Sequence, residues 1–317
     1  MHKQRHTLIL HPIAAWMIAA MTALTVGLTS PAHAEDAPSA TTTQEQAHQA
    51  AFEQATKAMQ AAQIKGPAEI TLRDQATLKL PAGYVWVPEP AAGQFMKAVG
   101  NHPDERELGL IFPASEEQGW MVVARYEDAG YIKDDDAKNW NVDDLFKSLK
   151  EGTEASNEER RKNGYPELDI LGWVEKPNYV ADSHRLIWSM SARIKGAPAD
   201  EPTSINYNTY ALGREGYITL NLITGLQAIG QDKAHAQTLL SALDFNEGKR
   251  YADFNQSTDK VAEYGLAALV GGLAAKKLGM FALAAGFFAK FAKVIVLAGA
   301  GVMAAFAKFF KRDKNQG

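Results

Sequence analysis

Three carboxylates stand side by side at Asp134, Asp135 and Asp136, and further along a histidine precedes an arginine at His184-Arg185. Consecutive acids offer oxygen ligands for Ca²⁺ or Mg²⁺, or a charged patch for a partner. An EF-hand loop, however, alternates its ligands with other residues, and this run does not. Tyr131-Ile132-Lys133 ahead of the acids and Asn141 behind them fit a solvated turn before a helix. His184 lies in Asp182-Ser183-His184-Arg185 and could join Ser189 or Ser191 in a Ser–His–Asp arrangement. No G-x-S-x-G elbow is present to raise a nucleophile. His184 also shares the strand phase of Leu186 and Trp188, so a half-buried structural histidine is expected. Asp134, Asp135, Asp136, His184 and Arg185 are therefore the candidate binding residues, and no catalytic residue is assigned.

The remaining chemistry is thinner. Glu116-Glu117 with Glu127-Asp128 could pair carboxylates as a glycoside hydrolase does, but acids are frequent enough in this body for chance proximity to explain them. Gly83, Gly93 and Gly100 lack the spacing and the Lys-Ser/Thr ending of a phosphate loop. The chain has no cysteine, which removes disulfides, thiolate nucleophiles and Cys-based metal sites. His48, His102, His184 and His235 form no i,i+3 or i,i+4 pair with one another. No metal and no cofactor is expected.

Charge divides the chain. Residues 35–259 carry 22 Lys+Arg against 35 Asp+Glu, a net of −13, whereas residues 260–317 carry 9 against 2, a net of +7. An acidic body repels phosphate backbones, so nucleic acid is not an expected partner. The basic tail alternates with Ala, Phe, Leu and Gly, which suits a lipid surface.

Both ends read as addresses. Lys3, Arg5 and His6 precede the uncharged Ile13–Leu28, and Ala32-His33-Ala34 then precedes Glu35-Asp36. This is the pattern of a cleaved signal peptide over 1–34. At the other end, Tyr264–Ala275, Leu278–Ala289 and Val294–Ala307 are uncharged runs. Each is shorter than the roughly 20 residues of a spanning helix. Lysines near helix ends can snorkel, so one or two passes, or one pass beside an amphipathic ramp, all fit. Lys276, Lys277, Lys290, Lys293, Lys311 and Arg312 would flank such a membrane segment, and Lys249 and Arg250 precede it. The expected partner of 260–317 is membrane lipid, with the main domain in the periplasm and the anchor in the inner membrane.

Between these ends, a flexible segment and helix over 35–66 lead into an α+β domain over 67–259. The spacing predicts a helix over Ala47–Gln63, a hairpin from Ala68–Leu72 and Ala76–Leu80, and strands at Tyr84–Val87, Leu108–Phe112 and Trp120–Tyr126. Asn141 caps a predicted helix over Asp143–Lys162. Strands are predicted at Leu168–Lys176, His184–Ile194, Ser204–Leu212 and Tyr217–Thr224, with a tight turn at Gly213–Gly216. In the second of these, apolar and polar residues alternate, implying an antiparallel sheet covered on one side. A helix over Gln231–Leu243, packing through Ala234, Leu239, Leu240 and Leu243, precedes a short Leu243–Phe245 strand.

This meander closed by a helix resembles the Mog1/PsbP-type α+β sandwich, whose members are mostly non-enzymatic helper or assembly proteins. The whole chain also resembles a family of membrane-anchored bacterial proteins with an exported domain of unknown function. The resembling stretches are Gly83–Pro88, Gly130–Ala137, Gly164–Leu168, His184–Ser189, Asn206–Thr209, Lys249–Phe254 and Thr258–Ala262. The resemblance implies the topology above and carries no activity with it. Three functions remain open at this point. One is a non-catalytic binding or assembly module for an envelope protein. Another is an envelope hydrolase using acids and His184. The third is a membrane-remodelling or stress-sensing protein acting through its tail.

Overall fold

The computed structural model describes residues 40–99, 101, 103–115, 118–162, 166–198 and 203–271. The signal-peptide region, His102, Glu116-Glu117, the tail lysines Lys276, Lys277, Lys290 and Lys293, and Lys311-Arg312 lie outside them. Among the described residues no helix is long and apolar enough to cross a membrane. The chain divides into two compact units, 1–43 and 44–317, and the architecture below is that of the second.

Helix α1 (Ala40–Ala62) leads into the short strand β1 (Ile64–Lys65) and the hairpin β2 (Ala68–Leu72) and β3 (Ala76–Leu80). Then follow β4 (Tyr84–Pro88), α2 (Ala91–Ala98), β5 (Glu107–Pro113), β6 (Met121–Glu127) and α3 (Val142–Lys162). The last part runs β7 (Leu168–Val180), β8 (Arg185–Ile194), β9 (Ser204–Leu212), β10 (Tyr217–Gly225), α4 (Ile229–Ser241), β11 (Leu243–Phe245) and α5 (Ala268–Gly271). Eight strands form one antiparallel sheet in the order β1-β4-β5-β6-β10-β9-β8-β7, and β11-β3-β2 form a second. The fold is thus mostly antiparallel sheet with several packed helices.

Local chemistry explains the boundaries. Asn141 Oδ1 accepts the backbone N–H groups of Asp143 and Asp144 at 2.9 and 3.2 Å, so α3 begins where its cap predicts. β9 and β10 are joined by Gly213–Gly216, closed by the Gly213 N–H donating to the Gly216 carbonyl at 2.8 Å. A Cβ on Gly216 would come within 1.9 Å of the Glu127 carbonyl oxygen, so only glycine fits that turn. β7 runs past Lys176 through Pro177 to Val180. It is an edge strand, where a residue without an N–H costs no ladder bond.

The large sheet is covered on both faces, not one. On one face α4 and the small sheet bury Leu78, Leu80, Trp120, Val122, Tyr207, Leu220 and Leu239. On the other, two separate clusters form. One joins Ala55 and Met59 of α1 and Phe95 of α2 to Val87, Phe112, Val123 and Ile223. The second joins Leu145 and Leu149 of α3 to Leu186, Trp188, Met190 and Tyr210. The alternation in β8 misled because three of its polar residues, Arg185, Ser189 and Ser191, donate to backbone carbonyls and so stand on a covered face. Ser189 is fully buried, with Oγ donating to the Asn206 carbonyl at 2.8 Å. The phase of α4 also differs from the expectation. Ala236 is buried beside Leu239 and Leu240, while Ala234 is exposed, because the helix starts at Ile229 and packs through that residue's stripe.

Candidate functional site

His184 does not sit in the strand phase. It closes the 3₁₀ turn Ala181–Ser183 with φ 52°, a left-handed conformation uncommon for a non-glycine residue. Its N–H donates to the Ala181 carbonyl, and its own carbonyl accepts the Leu212 N–H at 3.0 Å. The turn swings the imidazole off the sheet and onto the ring of Tyr251, with centroids 4.0 Å apart.

Asp134 arrives from the loop after β6, and the two candidate residues come within 3.8 Å of each other. Tyr179, near the end of β7, bridges them. Its hydroxyl donates to Asp134 Oδ2 at 2.6 Å and lies 3.1 Å from His184 Nδ1. A phenol has one proton, and here Asp134 takes it. The histidine contact must then run from Nδ1–H to the phenol oxygen, which leaves Nε2 as the acceptor nitrogen of the neutral ring. Burial lowers the His184 pKa, partly offset by Asp134 and Asp182 nearby. Burial and the Asp134 charge raise that of Tyr179, which keeps its proton.

The same loop grips the chain that leads into the tail. Tyr131 and Val261 form a parallel bridge, with Tyr131 N–H donating to Lys260 and Ala262 N–H donating back to Tyr131. The Leu266 N–H donates to the Lys133 carbonyl, and the Ala267 N–H to Asp136 Oδ2 at 2.9 Å. Tyr131 stacks on Tyr251 and on Phe254, at 4.4 and 3.8 Å. The Tyr251 hydroxyl donates to the Ile132 carbonyl at 2.7 Å, and the Tyr210 hydroxyl to the Leu269 carbonyl at 3.2 Å. Residues 260–271 are thus zipped to the body by backbone bonds, the Asp136 carboxylate and the Tyr210 hydroxyl, and the 251–254 segment before them is held by a stack of aromatic rings.

The other candidates go elsewhere. Asp135 is exposed at the start of a 3₁₀ turn. Arg185 turns its guanidinium to the far side of the sheet, where it donates to the Leu240 carbonyl and, at 2.7 Å, to that of Leu243. It thereby satisfies one carbonyl in the last turn of α4 and another at the start of β11. Lys249 pairs with Glu215 at 2.6 Å and Asp74 at 2.9 Å, and Arg250 bridges to Gly213. Among the described residues no group of three or more His, Asp or Glu side chains is placed to hold a metal ion. Sequence reasoning missed Tyr179, Tyr251 and Phe254. The available signal was that Gly130–Ala137, His184–Ser189, Lys249–Phe254 and Thr258–Ala262, four of the stretches behind the family resemblance, converge here.

The chain belongs to the family described as protein of unknown function (DUF2167), which matches residues 64–300. Among solved structures it is similar to cyanobacterial PsbP (CyanoP) from Synechocystis sp. PCC 6803, known from a solution structure. The identity is 12% over 58% of this chain and 91% of that one, with a TM-score of 0.34. No curated protein matches it.

Proposed function

We propose that this member of the DUF2167 family is exported by its N-terminal signal and held at the inner membrane by its C-terminal hydrophobic segment. In this reading its periplasmic α+β domain is a non-catalytic module that binds or assembles an envelope protein. The observation that supports it is the use made of the candidate side chains. Asp134 holds Tyr179, Asp136 holds the Ala267 backbone, Arg185 holds the end of α4 to the start of β11, and the His184 ring is stacked on Tyr251. Groups that could do chemistry serve as fasteners, and two of the fasteners secure the root of the tail. A rigid joint between tether and domain suits a protein that must present one face at a fixed height above a membrane.

The test is fractionation of the full-length protein, N-terminal sequencing of the mature chain, and protease digestion of spheroplasts. The proposal expects a mature chain beginning at Glu35, retained in the membrane fraction, with the domain digested from outside. A chain that keeps Met1, or one recovered wholly in the soluble fraction, contradicts it.

A further inference from the structure

The uncharged run Tyr264–Ala275 reads as membrane material, yet the structure packs Tyr264–Gly271 into the domain. Leu266, Leu269 and Val270 keep 0%, 9% and 2% of their exposure. They share one cluster with Leu145 and Leu149 of α3, Trp188 of β8 and Tyr210 of β9, and Tyr264 and Ala267 pack against it. α5 passes α3 at close range: a Cβ built on Gly271 lies 3.3 Å from Ser148 Cβ and 3.4 Å from the Leu145 carbonyl oxygen. The segment therefore fills an apolar groove between α3 and the large sheet.

Its backbone is matched to that groove as well. The Leu266 N–H donates to the Lys133 carbonyl, the Ala267 N–H to Asp136 Oδ2, and the Leu269 carbonyl accepts the buried Tyr210 hydroxyl at 3.2 Å. Gly265 lets the carboxylate in, because a Cβ there would stand 2.6 Å from Asp136 Oδ2. Moving the segment into hydrocarbon would exchange one apolar surrounding for another, so Leu266, Leu269 and Val270 would gain little. The groove left behind would lose more. Leu145, Leu149 and Trp188 would face water, and the Tyr210 hydroxyl would lose its acceptor.

We infer that this groove binds Tyr264–Gly271 in the membrane-held protein too, so that the domain ends, and lipid contact begins, beyond Gly271. The inference rests on the membrane anchor proposed above and locates where that anchor starts. It takes Tyr264–Ala275 out of the runs that can cross a bilayer, leaving Leu278–Ala289 and Val294–Ala307. From Gly271 to Lys276 the chain can reach at most about 17 Å. Lysine ammonium groups stay at the lipid headgroups. The end of the groove at Ser148 and Gly271 is thus held close against the membrane surface.

The chain has no cysteine, so the double variant Ser148→Cys/Gly271→Cys can close only one intramolecular disulfide. The 3.3 Å between the two Cβ positions is near the roughly 3.8 Å that such a bridge adopts. Full-length protein in isolated membranes is treated with a mild oxidant and denatured, and its remaining thiols are counted with a maleimide mass tag. The expected result is loss of both alkylatable thiols in the double variant, with Ser148→Cys alone still labelled. Tyr210→Phe, which removes one hydroxyl and keeps the packing, gives a second reading in the same membranes. Amide exchange over 266–271 should rise roughly 2–10-fold in that variant. Retained thiols in a double variant that melts with the native protein, or exchange unchanged by Tyr210→Phe, overturns the inference. A closed disulfide in protein recovered wholly in the soluble fraction counts against the anchor instead, and leaves the groove and its occupant standing.

Discussion

Asp136 Oδ2 accepts the backbone N–H of Ala267 at 2.9 Å, joining positions 131 residues apart in the chain. The acidic run that looked like a solvated turn therefore has one exposed member and two that fasten other parts of the molecule. The chain entering the hydrophobic tail is secured by a side chain it meets far along the fold.

Removing that acceptor leaves a part-buried N–H without its partner. Asp136→Ala should destabilise the protein by about 1–3 kcal/mol. The loss should be local, with amide exchange accelerating most over 260–271. Uniform acceleration across β5, β6 and β10 would show that this contact does not define the joint.

Gly130 begins the same loop at φ 88°, and a Cβ there would lie 2.7 Å from the Lys260 carbonyl oxygen. Gly130→Ala adds both backbone strain and a clash with the strand it must pair. A cost of about 1–3 kcal/mol is expected in denaturant unfolding. A neutral effect would show that loop and tail root are free to separate.

His184 carries a pH dependence with a definite sign. Burial lowers its pKa, so the unfolded chain takes up the proton more readily than the folded one. The contribution is complete above the ordinary histidine value and is lost as pH falls through the window just below it. The melting temperature should fall between about pH 7 and pH 5 by more in the native protein than in His184→Asn. Asparagine tolerates the left-handed backbone, so the variant removes the titration and keeps the turn. Parallel curves for the two proteins would contradict the assignment.

Arg185 predicts a contrast. Its guanidinium bonds the Leu240 carbonyl at the end of α4 and the Leu243 carbonyl of β11, and burial already lowers its pKa. Arg185→Ala should cost about 1.5–3 kcal/mol of stability. It should leave the exchange rates of 260–271 unchanged relative to the rest of the domain. Selective loosening of the tail root would link two regions that the contacts keep apart.

Much of the fold was legible in the sequence. Ser204–Leu212 and Tyr217–Gly225 are long β-forming runs joined by a glycine-bounded turn, and they fold as that local chemistry dictates. Asn141 caps α3 because its side chain competes well for free N–H groups. What sequence pattern could not give was coverage and convergence. Ser189 reads as a solvent-facing serine yet is fully buried, because its hydroxyl finds the Asn206 carbonyl across the sheet. Nothing periodic relates Asp134, Tyr179, His184 and Tyr251; they meet only once β7, β8 and the 251–254 segment are in place.

The most direct test of the central claim is in-cell crosslinking of the tagged full-length protein, followed by detergent extraction and mass spectrometry. The account predicts a discrete envelope partner, recovered equally with Asp135→Asn and retained by folded His184→Asn. Such a result identifies a binding surface and shows that neither side chain performs chemistry. A protein confirmed in the membrane that enriches no partner would contradict the binding module. So would a deletion phenotype that stable, correctly located His184→Asn reproduces in full.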